Sequence, residues 1–361
     1  MIILDGSTGE GGGQITRTAL ALSSLTGQPF RITNIRSKRK DAGLKAQHIH
    51  CVKALQQLCN AKAEGAELGS SELLYIPGKI TAKNSTIDIG TAGSITLLLQ
   101  AILLPCMFAQ KTHTLTLIGG TDTKWSMPID YFTHILVPQL RRFCGIEAKV
   151  LKRGYYPKGG GIVKLTVKPE IKRNEFDTFE AFQAALRHKA FSLLEQGELI
   201  SIKGVSHASK DLAKAQVAER QANAAKQSLT ILNAPIDISI EYADTLSTGS
   251  GITLWAIFSN KKGDVDALNP VRLGTDSLGA PGKQSEKVGQ EAAERLINEI
   301  NSKAPVDSHL ADNLIPIIAL CRPSSIKASS ITTHTRTNIW VAEQFLGKIF
   351  IEKENIISTL K

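Results

Sequence analysis

The sequence predicts an α/β (α+β) protein: a large domain of three repeated α/β units, with a smaller α+β domain inserted. Three observations predict this. One pattern recurs along the chain, a small-residue turn followed by an apolar helix, a short strand and a polar loop. A block lying between the second and third copies has a different order of elements. Finally, the chain has 361 residues, 42% of them apolar, which at roughly 150 residues per domain is enough for about two packed cores.

The first copy reads GEGGGQITRTALALSSLTG, then PFRITNI, then RSKRK. The second reads GTAGSITLLLQAILLPCMFA, then HTLTLIGG, then TDTKW. The third reads HLADNLIPIIALC, then SSIKASSITT, then HTRTN. Each helix has the apolar spacing of one buried face, and the strands alternate or are β-branched. On this pattern HTRTN is an exit loop, and His334 stands where a strand ends. If the three units pack around a common axis, three exit loops meet. They carry Arg36 and Arg39, Asp122 and Thr123, and His334.

RGYYPKGGGIVKLTVKP closes the second copy as sheet, and a polar stretch follows over 170–197. GELISIKGVSHAS then reads as strand, KDLAKAQVAERQANAAKQSL as helix, and IDISIEYAD and ITLWAIFSN as strands. SEKVGQEAAERLINEINSK is an amphipathic helix. The expected division is a large domain over 1–185 and 286–361, with the insert at 186–285. Insertion at an exposed loop is physically easy.

A net charge of +10 and a pI near 9.3 favour a polyanionic partner such as nucleic acid. The five scattered cysteines contain no CxxC pair, so neither a disulfide framework nor a thiolate zinc site is expected. MIILDGSTGEGG has no basic leader or apolar core, and ITLLLQAILLPCMFA is too short to span a bilayer and contains Gln100 and Pro105. The expectation is a cytoplasmic protein with no membrane partner.

The motifs are individually weak. GEGGGQITR lacks the GK[ST] of a phosphate-binding P-loop, and Gln14 stands where a dinucleotide fingerprint needs its third glycine. A glycine turn entering a helix still suits anions or close packing, and Glu10 is a candidate for a divalent cation or a ribose hydroxyl. NIRSKRKDAGLKAQHIH sets Arg36, Lys38, Arg39 and Lys40 before Lys45, Gln47 and His48. Arginine's planar fork suits phosphate, although such a run is usually a solvated face. In GGTDTKWSMPIDYF, Trp125, Tyr131 and Phe132 are either a stacking wall for a purine or core residues beneath a loop. His309 and Asp312 in DSHLADNL have metal-compatible spacing but too few companions, and acidic helix starts are ordinary caps. His334 has no apolar reason for an imidazole around it, and Arg336 lies close by. A neutral imidazole whose other nitrogen donates to a fixed acceptor is a competent nucleophile towards phosphorus.

Taken together the motifs resemble the RNA 3'-terminal phosphate cyclase family. The resemblance rests on LDGSTGEGGGQITR, IRSKRKDAGLKAQH, GTAGSITLLLQ, GGTDTKWSMPIDYF, RGYYPKGGG, LGAPGKQSEKVGQEAA, and HLADNLIP followed by HTRTN, all in family order. It implies a three-unit domain like that of enolpyruvyl transferases and an insert like the C-terminal domain of a translation initiation factor. It implies ATP-dependent conversion of an RNA 3'-phosphate to a 2',3'-cyclic phosphodiester with Mg²⁺ or Mn²⁺. The family's nucleophile falls on His334. Its metal-associated glutamate falls on Glu10, and its RNA-phosphate contacts on Arg17, Arg36, Arg39, Gln47 and His48. Its nucleotide contacts fall on Gln100, Pro128, Asp130, Tyr131, Asp312 and Asn313. Some members carry Phe at Tyr131, Tyr at His309 and Gln at Asn313. Non-catalytic relatives that act in ribosome assembly lack the histidine present here. An enolpyruvyl transferase would need neither the insert nor HTRTN, and a simple RNA-binding module would consume no ATP.

Overall fold

The structure is a computed structural model that describes residues 1–81, 83–259 and 264–360. The first unit runs β1 (Ile2–Asp5), α1 (Gln14–Thr26), β2 (Phe30–Thr33), α2 (Ala46–Cys59), β3 (Lys62–Glu64) and β4 (Leu73–Ile76). The second runs β5 (Ser85–Asp88), α3 (Ile95–Met107), β6 (His113–Gly119), a helical stretch, then β7 (Cys144–Lys152) and β8 (Gly161–Pro169). That helical stretch comprises α4 (Ile129–Tyr131), a π turn (Phe132–Leu136) and α5 (Val137–Leu140). A short α6 (Phe179–Ala185) leads on to β9 (Ser192–Leu193).

The insert comprises β10 (Glu198–Ser209), α7 (Val217–Leu229), β11 (Ile236–Ala243), β12 (Ser250–Ser259), β13 (Val271–Leu278) and α8 (Ser285–Asn301). The chain then completes the third unit with α9 (Ser308–Leu320), β14 (Ser325–Lys327), α10 (Thr333–Leu346), β15 (Phe350–Lys353) and β16 (Ile356–Thr359).

The three units share one topology. Their sheets run β1-β2-β4-β3, β5-β6-β8-β7 and β9-β14-β16-β15. In each, the first pair is parallel and the remaining pairs are antiparallel. A parallel first pair requires a crossover, which the first helix of each unit supplies. The insert therefore interrupts the third unit between its first strand, β9, and its first helix, α9. The insert's sheet, β11-β10-β12-β13, has a different order.

Two corrections follow. The amphipathic helix α8 buries Val288, Ala292, Ala293, Leu296 and Ile300 in the insert's own core, against β12, β13 and α7. The expected boundary at 285/286 thus cuts a helix away from the sheet that covers its apolar face, and on packing the insert reaches Asn301. The stretch HTRTN is the first turn of α10 and not a loop at a strand's end. Thr332 caps that helix by accepting from the Thr335 N–H at 3.0 Å, and the Thr335 hydroxyl in turn accepts from the Thr332 N–H at 3.1 Å. A reciprocal threonine cap of this kind starts a helix where β-branching alone argues for strand.

Local chemistry explains the other ends. Gly27 and Asn60, both left-handed, stop α1 and α2, and Ser94 accepts from the Leu97 N–H to start α3. α3 is apolar nearly all round because it lies between neighbouring helices. The five cysteines are buried free thiols. Among the described residues no helix is long and apolar enough to cross a membrane.

Candidate functional site

The first helices of the three units, α1, α3 and α9, converge. A chain of side-chain hydrogen bonds ties them together: Arg17 Nε donates to Gln100 Oε1 at 2.9 Å, and Gln100 Nε2 donates to Asn313 Oδ1 at 3.2 Å. Asn313 Nδ2 then donates to the His309 carbonyl at 2.7 Å. The cleft between these helices has polar groups at one end, Gln14, Gln100, Asp312, Asn313 and Asn338, and apolar walls from Leu99, Leu103, Met127 and Phe132. This combination is typical of small-molecule sites.

His334 stands at the polar end, on the first turn of α10, with its side chain about half exposed. Its Nδ1 meets Gln14 Oε1 at 2.5 Å and also touches Glu10 Oε2. The Gln14 amide is oriented by donating to the His334 carbonyl at 3.4 Å. Two acceptor oxygens on Nδ1 place the ring's proton there, so Nε2 keeps its lone pair. Partial burial pulls the pKa below the ordinary histidine value. Asp312 works against this, and Arg17 and Arg39 reinforce it. The Glu10 carboxylate, already engaged by Arg39 through its other oxygen, selects the tautomer.

The helix carrying His334 is anchored from below. Asp312 Oδ1 accepts from the Thr332 hydroxyl at 2.8 Å and the Thr335 hydroxyl at 2.5 Å. Asn338 donates to the Asp312 carbonyl at 2.7 Å and accepts from the Thr18 hydroxyl at 2.7 Å. Burial raises the Asp312 pKa. This carboxylate is therefore a positioning group for α10 as well as part of the cleft wall.

Three arginines gather near His48 and the His334 ring. Arg17 is buried, and burial lowers its pKa only to about 10, so it remains a cation. Arg36 bonds the Asp41 carbonyl, and Arg39 pairs with Glu10. Gln47 donates to the Ser94 carbonyl at 3.1 Å. His48 accepts the Lys45 N–H through Nδ1 at 3.0 Å, and burial followed by Arg17 and Arg36 depresses its pKa to about 3. It is thus a neutral ring with its proton on Nε2. A Cβ on Gly13 would lie 2.0 Å from that nitrogen, which explains one glycine of the GEGGG turn.

Not every expected residue reaches the site. Asp130 is buried and pairs with Arg153 at 2.8 Å. Tyr131 is fully buried, and its hydroxyl donates to Asp307 at 2.5 Å. Neither these two nor Pro128, the residue preceding α4, lines the cleft, whereas their neighbours Met127 and Phe132 do. Of the three aromatics read as either a stacking wall or core, Tyr131 and Phe132 are buried and Trp125 is 87% exposed. Asp122 does not join the other two exit loops at His334. It pairs with Arg153 at 3.2 Å and lies 3.3 Å from His207 of the insert. Arg336 points away, paired with Glu352 at 2.7 Å.

Sequence reasoning missed Gln14, which it registered only as a missing glycine. It also missed Thr332 and Thr335 as an anchor, although T-x-x-T before an amphipathic run is a weak capping signal. The cluster of Asp122, Asp130, Arg153 and His207 gave no signal, because its members come from two domains.

A divalent cation would find one suitable atom beside His334. Glu10 Oε2 is shielded, and beyond its contact with His334 Nδ1 it keeps a lone pair to offer. Mg²⁺ is characteristically held by one or two carboxylates together with substrate phosphates, so the donor set fits if phosphates complete it.

A sequence profile described as RNA 3'-terminal phosphate cyclase matches residues 8–351. The chain is 46% identical over 358 residues to the RNA 3'-terminal phosphate cyclase of Pyrococcus furiosus, covering 99% of this chain and 96% of the relative. It is 42% identical to the protein of that name in Archaeoglobus fulgidus, covering 97% of each. It is 44% identical to that of Caldivirga maquilingensis, covering 96% and 93%. The chain therefore belongs to the RNA 3'-terminal phosphate cyclase family.

Proposed function

We propose that the protein converts an RNA 3'-terminal phosphate to a 2',3'-cyclic phosphodiester at the expense of ATP, through AMP bonded to His334 Nε2. The observation that carries this reading is the ring itself, with Nδ1 held by Gln14 and Glu10 and Nε2 left with its lone pair. The cleft beside it, with Gln100 and Asn313 at its polar end, would take the adenosine. Arg17, Arg36 and Arg39, with Gln47 and His48, would receive the RNA phosphate.

In the first step Nε2 attacks the α-phosphorus of ATP and pyrophosphate leaves. Gln14 and Glu10 accept from the Nδ1 proton throughout, stabilising the charge that grows on the ring. A phosphate oxygen of the RNA end then attacks the same phosphorus, the P–N bond breaks, and the neutral ring is restored. The 2'-hydroxyl finally attacks the RNA phosphorus, AMP leaves, and the hydroxyl proton passes to solvent or a nearby base. That closure is intramolecular and five-membered, so proximity alone supplies roughly 7–11 kcal/mol of the barrier. A Mg²⁺ or Mn²⁺ ion held through Glu10 would supply charge neutralisation at the phosphates. The N-termini of α1 and α10 add partial positive charge on the same side.

Incubation with α-labelled ATP should leave acid-labile label on the protein, and a chase with 3'-phosphorylated RNA should release it as AMP while cyclising the end. Labelling of His334→Ala equal to the parent would refute the assignment.

A further inference from the structure

We propose that Trp125 and Tyr156 form a stacking platform for unpaired nucleobases immediately upstream of the RNA's terminal phosphate. The proposal deepens the cyclase reading and rests on it. Both rings project into solvent, with Trp125 87% and Tyr156 75% exposed. One exposed ring is ordinary, but two on joined loops beside lysines offer faces on which bases can stack.

Their loops are joined. Thr121 N–H donates to the Gly154 carbonyl at 2.9 Å, Gly154 N–H donates to the Thr121 hydroxyl at 3.0 Å, and Asp122 and Tyr155 form a bridge. The Trp125 loop is also bonded internally. The Thr123 and Ser126 hydroxyls are 2.8 Å apart, and Ser126 Oγ donates to the Thr123 carbonyl at 3.0 Å. Trp125 also holds φ at +64°, a left-handed conformation that is unfavourable for a bulky side chain. Backbone strain of this kind persists where the surroundings impose it, often at ligand-binding positions.

Location argues for the occupant. Two residues beyond Trp125, Met127 lines the cleft, and its carbonyl accepts from the Thr96 hydroxyl at 2.7 Å. From the phosphate-suited residues a run of contacts among largely buried residues leads to the same loops. Gln47 bonds Ser94, Ser94 bridges Gly120, and Asp122 bridges Tyr155. An RNA whose 3'-phosphate sits among Arg17, Arg36 and Arg39 would reach the two rings over the surface that these contacts underlie. Charge agrees. The Lys124 ammonium lies 4.8 Å from the Trp125 ring centroid, Lys158 is exposed two residues after Tyr156, and the chain carries +10 overall. Aromatic faces flanked by cations are the usual means of holding single-stranded nucleic acid without reading its sequence.

Two measurements test this with the full-length protein. Trp255 is buried and Trp125 is the most exposed of the three tryptophans, so a single-stranded 3'-phosphorylated oligonucleotide should quench emission that Trp125→Phe removes. In cyclisation assays Trp125→Ala should raise KM for an RNA with an unpaired 3' tail by roughly 10-fold, the size of one lost base stack. Trp125→Phe should restore most of this affinity, and label transfer from ATP to the protein should be unchanged in both. Trp125→Asn, which tolerates the left-handed backbone, should be as thermally stable as the parent while losing RNA affinity. An unchanged KM in the Ala and Asn variants, or quenching that Trp125→Phe leaves in place, would overturn the platform. A parent protein that takes no label from ATP would instead overturn the cyclase reading, and the quenching result would stand by itself.

Discussion

Two histidines with carboxylate neighbours differ in what their surroundings leave free. His334 is half exposed on a helix's first turn, and only its Nδ1 is held. His207 is fully buried at the seam between the second unit and the insert. Its Nδ1 is 2.7 Å from the Tyr155 hydroxyl, and its Nε2 faces Asp122 at 3.3 Å. Arg153 sits among the acids of that seam, contacting Asp122, Asp130 and, at 2.8 Å, Glu241 of the insert. The seam is a charge-compensated joint, extended by His134 stacked on Trp255 at 4.2 Å. The pair teaches that histidine beside carboxylate is not itself a reactive arrangement. On the proposed reading, reactivity needs one nitrogen fixed and the other bare.

The sharpest way to break the comparison is to remove each ring. His334→Ala should lower ATP-dependent protein labelling by roughly 10³-fold or more, as expected for loss of a nucleophile. His207→Ala should leave labelling within roughly 2-fold, since it touches no reacting atom. Equal losses in the two variants would erase the distinction.

The next effect concerns the joint. Arg153→Met leaves Asp122 and Asp130 buried without their cation, at a cost of about 3–5 kcal/mol. Thermal unfolding should shift sharply downwards. Arg336→Ala, at an exposed pair with Glu352, should shift it little.

Gln14→Leu tests the tautomer argument. It removes one acceptor for the Nδ1 proton while nearly preserving volume, and should slow labelling roughly 10- to 100-fold, the worth of a hydrogen bond to a charged group. Its unfolding midpoint should stay near the parent's. A slow variant that is also unstable would point to a structural role instead.

The smallest effect is in pH dependence. The nucleophile must be neutral, and burial, Arg17 and Arg39 hold the His334 pKa below the ordinary value of 6.5. Labelling rate should therefore stay high through neutral pH and fall only on acidification below about 6.5. Arg39→Gln removes a repelling cation and frees the Glu10 carboxylate. Both changes favour imidazolium, so the acid limb should move to higher pH. A limb that moved to lower pH would contradict the electrostatic account.

Much of this protein was legible before any coordinates. α7 and α8 are long stretches with a clear 3.6-residue period, α3 is a long apolar run, and glycine, asparagine and serine mark the ends of α1 and α2 and the start of α3. The three-unit organisation was visible as turn, helix and strand recurring in order, and charge pointed to a polyanion. His334, Glu10 and the arginines were legible as types suited to phosphate chemistry. The start of α10 was not, because ITTHTRTN has strand-like β-branching. The reciprocal cap of Thr332 and Thr335, held by Asp312 twenty or more residues away in sequence, starts the helix there.

What the sequence by itself determined is therefore local: the periods that make helices and strands, the residues that cap them, and the chemical kinds of group available. Tertiary structure decided which groups meet. It brought Gln14 within 2.5 Å of a ring 320 residues away, sent Asp130 and Tyr131 into the core, and left Trp125 outside. The physical reason is that packing three similar units and an insert brings together side chains from distant segments. Their partners, burial and free lone pairs depend on distances that no local pattern encodes.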